Sequence, residues 1–82
     1  MSKHITVYTT NNCAYCVMVK KYLAAKGHEY DEVNVELNPD RRAEVIELSG
    51  AKTVPVTVIT DSNGQKQVAV GPNYGLIASA LA

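Results

Sequence analysis

The chain has 82 residues, of which 46% are hydrophobic and 20% charged. That length leaves room for one domain, over 1–82, and that balance excludes a disordered chain. Eight Lys and Arg offset eight Asp and Glu, so there is no broad positive field for nucleic acid.

Two cysteines are too few for a secreted disulfide scaffold. No apolar run approaches the ~18 residues that a membrane span requires. The opening Met-Ser-Lys-His leads into a strand-like segment without an apolar signal region. The expectation is a cytoplasmic monomer, in a compartment where a cysteine pair is reactive or metal-binding rather than structural.

His4 to Thr9 alternates Ile5 and Val7 with Thr6 and Tyr8, which predicts the first strand. Thr9-Thr10-Asn11-Asn12 breaks it and ends in residues suited to cap a helix. A helix is predicted from about Cys13 to Lys26, with Val19, Tyr22 and Leu23 at helical spacing and Gly27 at the left-handed stop. Tyr30 to Val35 predicts the second strand, with Asp31, Val33 and Val35 on one face and Tyr30, Glu32 and Asn34 on the other. The pattern places Asp31 in a partly buried row without naming its partner.

Asn38-Pro39-Asp40 predicts a second helix, with Asn38 as cap and Pro39 as first helical residue, ending at Gly50. Val56, Val58 and Ile59 form the third strand, and Asp61-Ser62-Asn63-Gly64 a turn. Val68 to Val70 folds back as a fourth strand. Leu76, Ile77, Ala80 and Leu81 mark a closing helix. The order βαβαββα predicts an α/β fold: a four-stranded mixed sheet with helices on both faces and the first two strands parallel.

The chemistry centres on Cys13-Ala14-Tyr15-Cys16, where a strand gives way to a helix. Residues three apart share one side of a helical turn, so the two sulfurs can close a disulfide with little backbone motion. Cys13 stands at the helix N-terminus, where free N–H groups and the helix dipole favour the thiolate that attacks disulfides. Cys16 lies one turn deeper. Geometry therefore casts Cys13 as nucleophile and Cys16 as the resolving thiol. The competing readings are half of a zinc site and a pair of inert buried cysteines. Zinc lacks further ligands, since only His4 and His28 are available, and a strand-to-helix turn is an unusual place for inert thiols.

Thr53-Val54-Pro55 is the second feature. Pro55 opens the third strand, either in trans or as a cis proline that would bare the Val54 backbone beside Cys13 for strand-like pairing with a peptide. Tyr8, Tyr22, Tyr30 and Tyr74 read as packing residues and Tyr15 as a rim residue beside the sulfur. The acidic stretch Glu29, Asp31, Glu32 and Glu36 reads as solvated surface.

Y-T-T-N-N-C-A-Y-C, a T-V-P about forty residues on, and V-G before the last helix together resemble the glutaredoxin family, over essentially the whole chain. The resemblance implies a thioredoxin-like fold, a thiol–disulfide oxidoreductase and a cis Pro55. It implies that Tyr15, Thr53, Val54, Pro55, Gly71 and Asn73 bind substrate. No bound cofactor and no metal are expected, and the resemblance implies glutathione or another low-molecular-weight thiol as co-substrate. The implied partners are disulfide-containing proteins, ribonucleotide reductase among them, with glutathione or thioredoxin reductase as electron donor.

Three positions depart from the family pattern. Ala14 replaces a proline, Thr10 replaces a cation, and Asn73 replaces the Asp that holds the glutamyl amine of glutathione. Thr10 gives a likeness to ribonucleotide-reductase-associated redoxins and mycoredoxins. Lys20, Lys21, Arg41, Arg42 and Lys52 are the cations available for a carboxylate, with Arg41 and Arg42 favoured by family analogy. An alternative implied by the same family is a scaffold dimer holding a glutathione-ligated [2Fe–2S] cluster.

Overall fold

The computed structural model describes residues 3–82. Met1 and Ser2, read above as the lead into the first strand, lie outside the described residues. Four strands form one sheet: β1 (His4–Thr9), β2 (Asp31–Asn34), β3 (Val56–Thr60) and β4 (Lys66–Val70). Their order across the sheet is β2-β1-β3-β4. β1 runs parallel to β2 and antiparallel to β3, and β4 returns antiparallel to β3. The helices are α1 (Ala14–Ala25), α2 (Arg42–Ser49) and α3 (Tyr74–Leu81).

Strand alternation divides the apolar residues between two faces. Ile5, Val7, Ile59 and Ala69 meet Val19 and Leu23 of α1 and Ile77 and Ala80 of α3. On the other face Tyr8, Val35, Val56 and Val58 meet Val45 of α2. Helices cover both faces, as the βαβαββα order predicts, with α1 and α3 on one side and α2 alone on the other.

Two helix starts differ from expectation. Cys13, not an asparagine before it, caps α1: its sulfur accepts the Cys16 N–H. Asn11 is drawn away instead, since its N–H donates to Glu36 and its side-chain oxygen accepts from Asn34 Nδ2. The second helix opens as a 3-10 turn over Pro39–Arg41 before α2 begins at Arg42. The Asn38 side chain makes no cap there, because its Nδ2 donates back to the Asn34 carbonyl at 3.0 Å. Gly50, at φ 70°, ends α2 in the left-handed region that glycine reaches without a Cβ clash.

The register brings three connections to one end of the sheet. Tyr8 pairs with Val56, and Val56 with Val70. The loop after β1, the bend before β3 and the turn after β4 therefore gather around the start of α1. No helix among the described residues is long and apolar enough to cross a membrane.

Candidate active site at the start of α1

Cys13 has extended backbone, φ −141° and ψ 100°, and its sulfur accepts the Cys16 backbone N–H at 3.1 Å. The sulfur thus occupies the position that a serine or aspartate oxygen takes in an ordinary cap. A donor aimed at sulfur stabilises the anion more than the neutral thiol. The Cys13 and Cys16 sulfurs are bonded to each other, with Cα atoms 5.2 Å apart. Cys13 is half-buried, whereas Cys16 is 1% exposed. The division into an accessible and a sheltered sulfur follows the sequence expectation.

Tyr15, between the cysteines, is 57% exposed. Val17, whose N–H donates to the Cys13 carbonyl at 3.2 Å, is also exposed, so apolar side chains stand open next to Cys13.

The Val54–Pro55 peptide is cis, and Pro55 is buried. Among the described residues, the Val54 N–H and C=O bond no other backbone group, which leaves one strand-like donor and acceptor for a guest chain. The Gly71 N–H donates to the Pro55 carbonyl at 2.8 Å, tying the turn after β4 to this bend. Gly71 has φ 73°, a conformation that would strain other residues. Thr53 is exposed at the same bend.

Asn73 is exposed, but its Oδ1 accepts the Leu76 N–H and caps α3. The structure therefore gives this side chain a helix-capping role that the family reading omitted.

Charges around the site divide into committed and free. Thr9 Oγ1 donates to Glu32 at 2.8 Å, and Lys20 Nζ donates to the same oxygen at 3.0 Å. The Thr9 hydroxyl first, then Lys20, hold the Glu32 carboxyl below its ordinary range despite partial burial. Glu32 is therefore a paired group rather than plain solvated surface. Asp31, expected to be partly buried, is exposed, and its partner is His4 Nε2 at 3.0 Å.

Tyr8, in the α2-side core, donates its hydroxyl to Glu44 Oε2. Arg41 grips both oxygens of Glu44 at 2.8 Å. These contacts, Arg41 first, lower the Glu44 pKa to about 2. Burial, and then the Glu44 carboxylate, raise the Tyr8 pKa to about 12. Arg41 is consequently engaged and is not the free cation that family analogy favoured. The Arg41-x-x-Glu44 spacing was the available signal, since residues three apart are neighbours on a helical turn.

The ion pairs among the described residues are His4–Asp31, Lys20–Glu32 and Arg41–Glu44, so the charges of Arg42 and Lys52 are uncommitted. Both line a cavity of about 110 Å³, together with Thr10, Val35, Val45, Ile46 and Val54. Thr10 precedes Cys13 by three residues and Val54 precedes the cis Pro55, so this recess, lined by apolar side chains and two cations, adjoins the sulfur site. Among the described residues, no group of three or more His, Cys, Asp or Glu could hold a metal ion.

A sulfur pair that opens and closes within one helical turn exchanges two electrons with another disulfide, and a chain built around it in this way is a thiol–disulfide oxidoreductase. The family profile described as Glutaredoxin matches residues 5–63, and the chain belongs to that family. A curated relative, "Glutaredoxin-like protein NrdH" of Salmonella typhimurium, is 39% identical over 57 residues, 70% of this chain and 69% of that protein. Its namesake from Lactococcus lactis is 40% identical over 57 residues, 70% of this chain and 78% of the relative.

Among solved structures, the glutaredoxin-like protein NrdH-redoxin from Escherichia coli superposes with TM-score 0.76 at 26% identity, covering 93% of this chain and 92% of that one. The Archaeoglobus fulgidus glutaredoxin gives TM-score 0.80 at 19% identity, covering 95% of this chain and 85% of that one, which is a likeness of fold. The fold is thioredoxin-like, as the family resemblance implied. The relatives carry redoxin names, and nothing at the site favours the cluster scaffold.

Proposed function

We propose that the protein reduces disulfides of other proteins through Cys13, with Cys16 resolving the mixed disulfide, and that thioredoxin reductase re-reduces the pair. The carrying observation is the asymmetry of the two sulfurs: Cys13 is half-buried and receives an N–H, while Cys16 is sheltered one turn deeper. The attacking thiolate must be accessible and stabilised, whereas the resolving thiol needs only to reach its mate.

The guest disulfide pairs with the Val54 backbone, and Tyr15, Thr53, Pro55 and Gly71 shape its groove. The exposed Tyr15 and Val17, next to Cys13 in the first turn of α1, suit a protein partner, because apolar area buried at an interface is stabilising. Glutathione would find no cation at Thr10 and no carboxylate at Asn73, and this favours a protein donor. Small thiols remain substrates as mixed disulfides, their carboxylate received by Arg42 and Lys52 of the cavity lining. Ribonucleotide reductase is the protein substrate that the family resemblance suggests. The chain acts in the cytoplasm, as a single domain and a monomer.

The test supplies one model protein disulfide with electrons from NADPH and thioredoxin reductase, or from glutathione and glutathione reductase. Faster turnover with thioredoxin reductase is expected. Turnover that runs with glutathione alone would overturn the donor assignment.

A further inference from the structure

Thr57 is fully buried in the middle of β3, and its Oγ1 has no hydrogen-bond partner among the described residues. A buried hydroxyl without a partner loses its hydration and gains nothing in exchange, so it calls for a reason. Valine would fill the same space at no such cost.

The position supplies the reason. Thr57 lies two residues before Ile59, so strand alternation turns it toward the α1 side of the sheet. The ladder sets it between Val7 and Ala69, both members of the core on that face. Cys16 stands one turn ahead of Val19 on the inward side of α1, and both are buried. Because β1 and β2 are parallel, the intervening α1 runs back along the sheet. Its first turn therefore starts from the end of the sheet where β1 finishes and β3 begins, the end to which Thr57 lies close as the second residue of β3. The other neighbours on this face are apolar, Ile5, Val7, Val19, Leu23, Ile59 and Ile77, apart from the buried Thr9, whose hydroxyl is spent on Glu32. The titratable groups there are Cys13 itself, Glu32, held by Thr9 and Lys20, and Tyr22, Tyr30 and Tyr74 at the margin of the cluster.

We propose that Thr57 is the positioning residue of the resolving thiol: its hydroxyl is unpartnered while the sulfurs are bonded to each other, and it donates a hydrogen bond to Cys16 once they part. This rests on the roles proposed above for the two cysteines. In the first step the Cys13 thiolate displaces one sulfur of the target disulfide, and that sulfur leaves as a thiolate and takes up a proton. Cys16 then gives its proton to solvent, and its sulfur attacks the Cys13 sulfur. The bond from Cys13 to the target breaks, and the target departs with the electron pair as a second thiolate, which is protonated in turn. Two electrons have passed to the target and the Cys13–Cys16 bond has formed. Thr57 supplies no proton. It donates a hydrogen bond to the Cys16 anion on a face whose other buried hydroxyl, that of Thr9, is already spent on Glu32.

The test is rapid-mixing kinetics on the full chain with Thr57→Val and Thr57→Ser, together with titration of the Cys16 thiol in the Cys13→Ser background. Thr57→Val should slow the second step about tenfold and move Cys16 ionisation up by roughly one pH unit, since a hydrogen bond to a charged group is of that size. Formation of the mixed disulfide by Cys13 should keep its rate, and Thr57→Ser should resolve as the wild type does. Thr57→Val should also melt no earlier than wild type, a result that a purely structural hydroxyl bond would not give. Thr57→Ala replaces it if the valine variant misfolds. Equal resolution rates and equal Cys16 titration in wild type and Thr57→Val would overturn the inference. A wild-type chain that forms no mixed disulfide at Cys13 would instead overturn the cysteine roles beneath it.

Discussion

The backbone N–H of Cys16 donates to the sulfur of Cys13 at 3.1 Å. The residue proposed to resolve the mixed disulfide therefore also holds the attacking sulfur in place through its main chain. A substitution at residue 16 that keeps the peptide intact preserves that contact while deleting the second thiol. Cys13→Ser should abolish turnover of every disulfide. Cys16→Ser should form a mixed disulfide at the wild-type rate and then stall, with the target captured as a covalent adduct visible by mass spectrometry. Normal protein disulfide reduction by Cys13→Ser would reverse the assignment.

The Arg41–Glu44–Tyr8 group makes stability depend on pH in a stated window. Glu44 has its pKa lowered from 4.5 to about 2 by Arg41 and Tyr8. Its contribution is fully present above 4.5 and is lost as pH falls through about 2, because the unfolded chain binds the proton more readily. Tyr8 acts at the other end. Its pKa is raised from 10.0 to about 12, so stability present below 10.0 is lost as pH rises through about 12. Glu44 is about one-third exposed, at 37%, so solvent screening discounts the Glu44 contribution to roughly 1 kcal/mol. Glu44→Gln should lower urea stability at pH 7 by about that amount, and the gap to wild type should narrow at pH 3. An equal gap at both pH values would show that the carboxylate charge is not the source.

The fold was legible because each element carried its own punctuation. Gly27 and Gly50 mark two helix ends, Asp61 to Gly64 a turn, and the Ile5/Val7 row a face of the sheet. The cysteines were legible because spacing and placement together fix their chemistry. What escaped were contacts between elements far apart in sequence. Tyr8 and Glu44 belong to different layers, so nothing local pairs them. Thr9 and Glu32 meet only because β2 lies parallel to β1. Asp31 was misplaced by alternation alone, since β2 is an edge strand and its rim faces water. The cap of α1 was misassigned because sulfur is rarely counted among capping groups, although Cys13 has the backbone conformation for the task.

Asn73 caps α3, and a role in binding the thiol, which the family resemblance implies, can be separated from the cap. Its Oδ1 caps α3 through the Leu76 N–H. Asn73→Ala should therefore cost about 1 kcal/mol of stability. Asn73→Asp keeps the cap oxygen and adds a negative charge at the positive end of the helix, so the fold should be unharmed or gain a few tenths of a kcal/mol. The same aspartate would meet the amine of glutathione. Its KM for a glutathione mixed disulfide should fall about tenfold, while kcat with a protein disulfide stays near wild type. An unchanged KM would show that the turn after β4 does not face the bound thiol.

Arg42 and Lys52 give the sharpest separation of small-thiol from protein chemistry. Both line one cavity with Thr10, Val35, Val45, Ile46 and Val54, and neither is paired with a carboxylate among the described residues. A carboxylate there would lie against the buried Val35 and Val45, so its pairing is worth more than at a fully open surface. Arg42→Glu and Lys52→Glu reverse the field without touching the sulfurs. Each should raise KM for a glutathione mixed disulfide about tenfold, leave kcat within twofold, and hardly alter an uncharged small disulfide. The effect should shrink as salt rises, since salt screens charge pairs that meet solvent. A matching rise of KM for the uncharged disulfide would mean that the substitutions distort the recess, and equal KM values for all three proteins would remove the carboxylate from it.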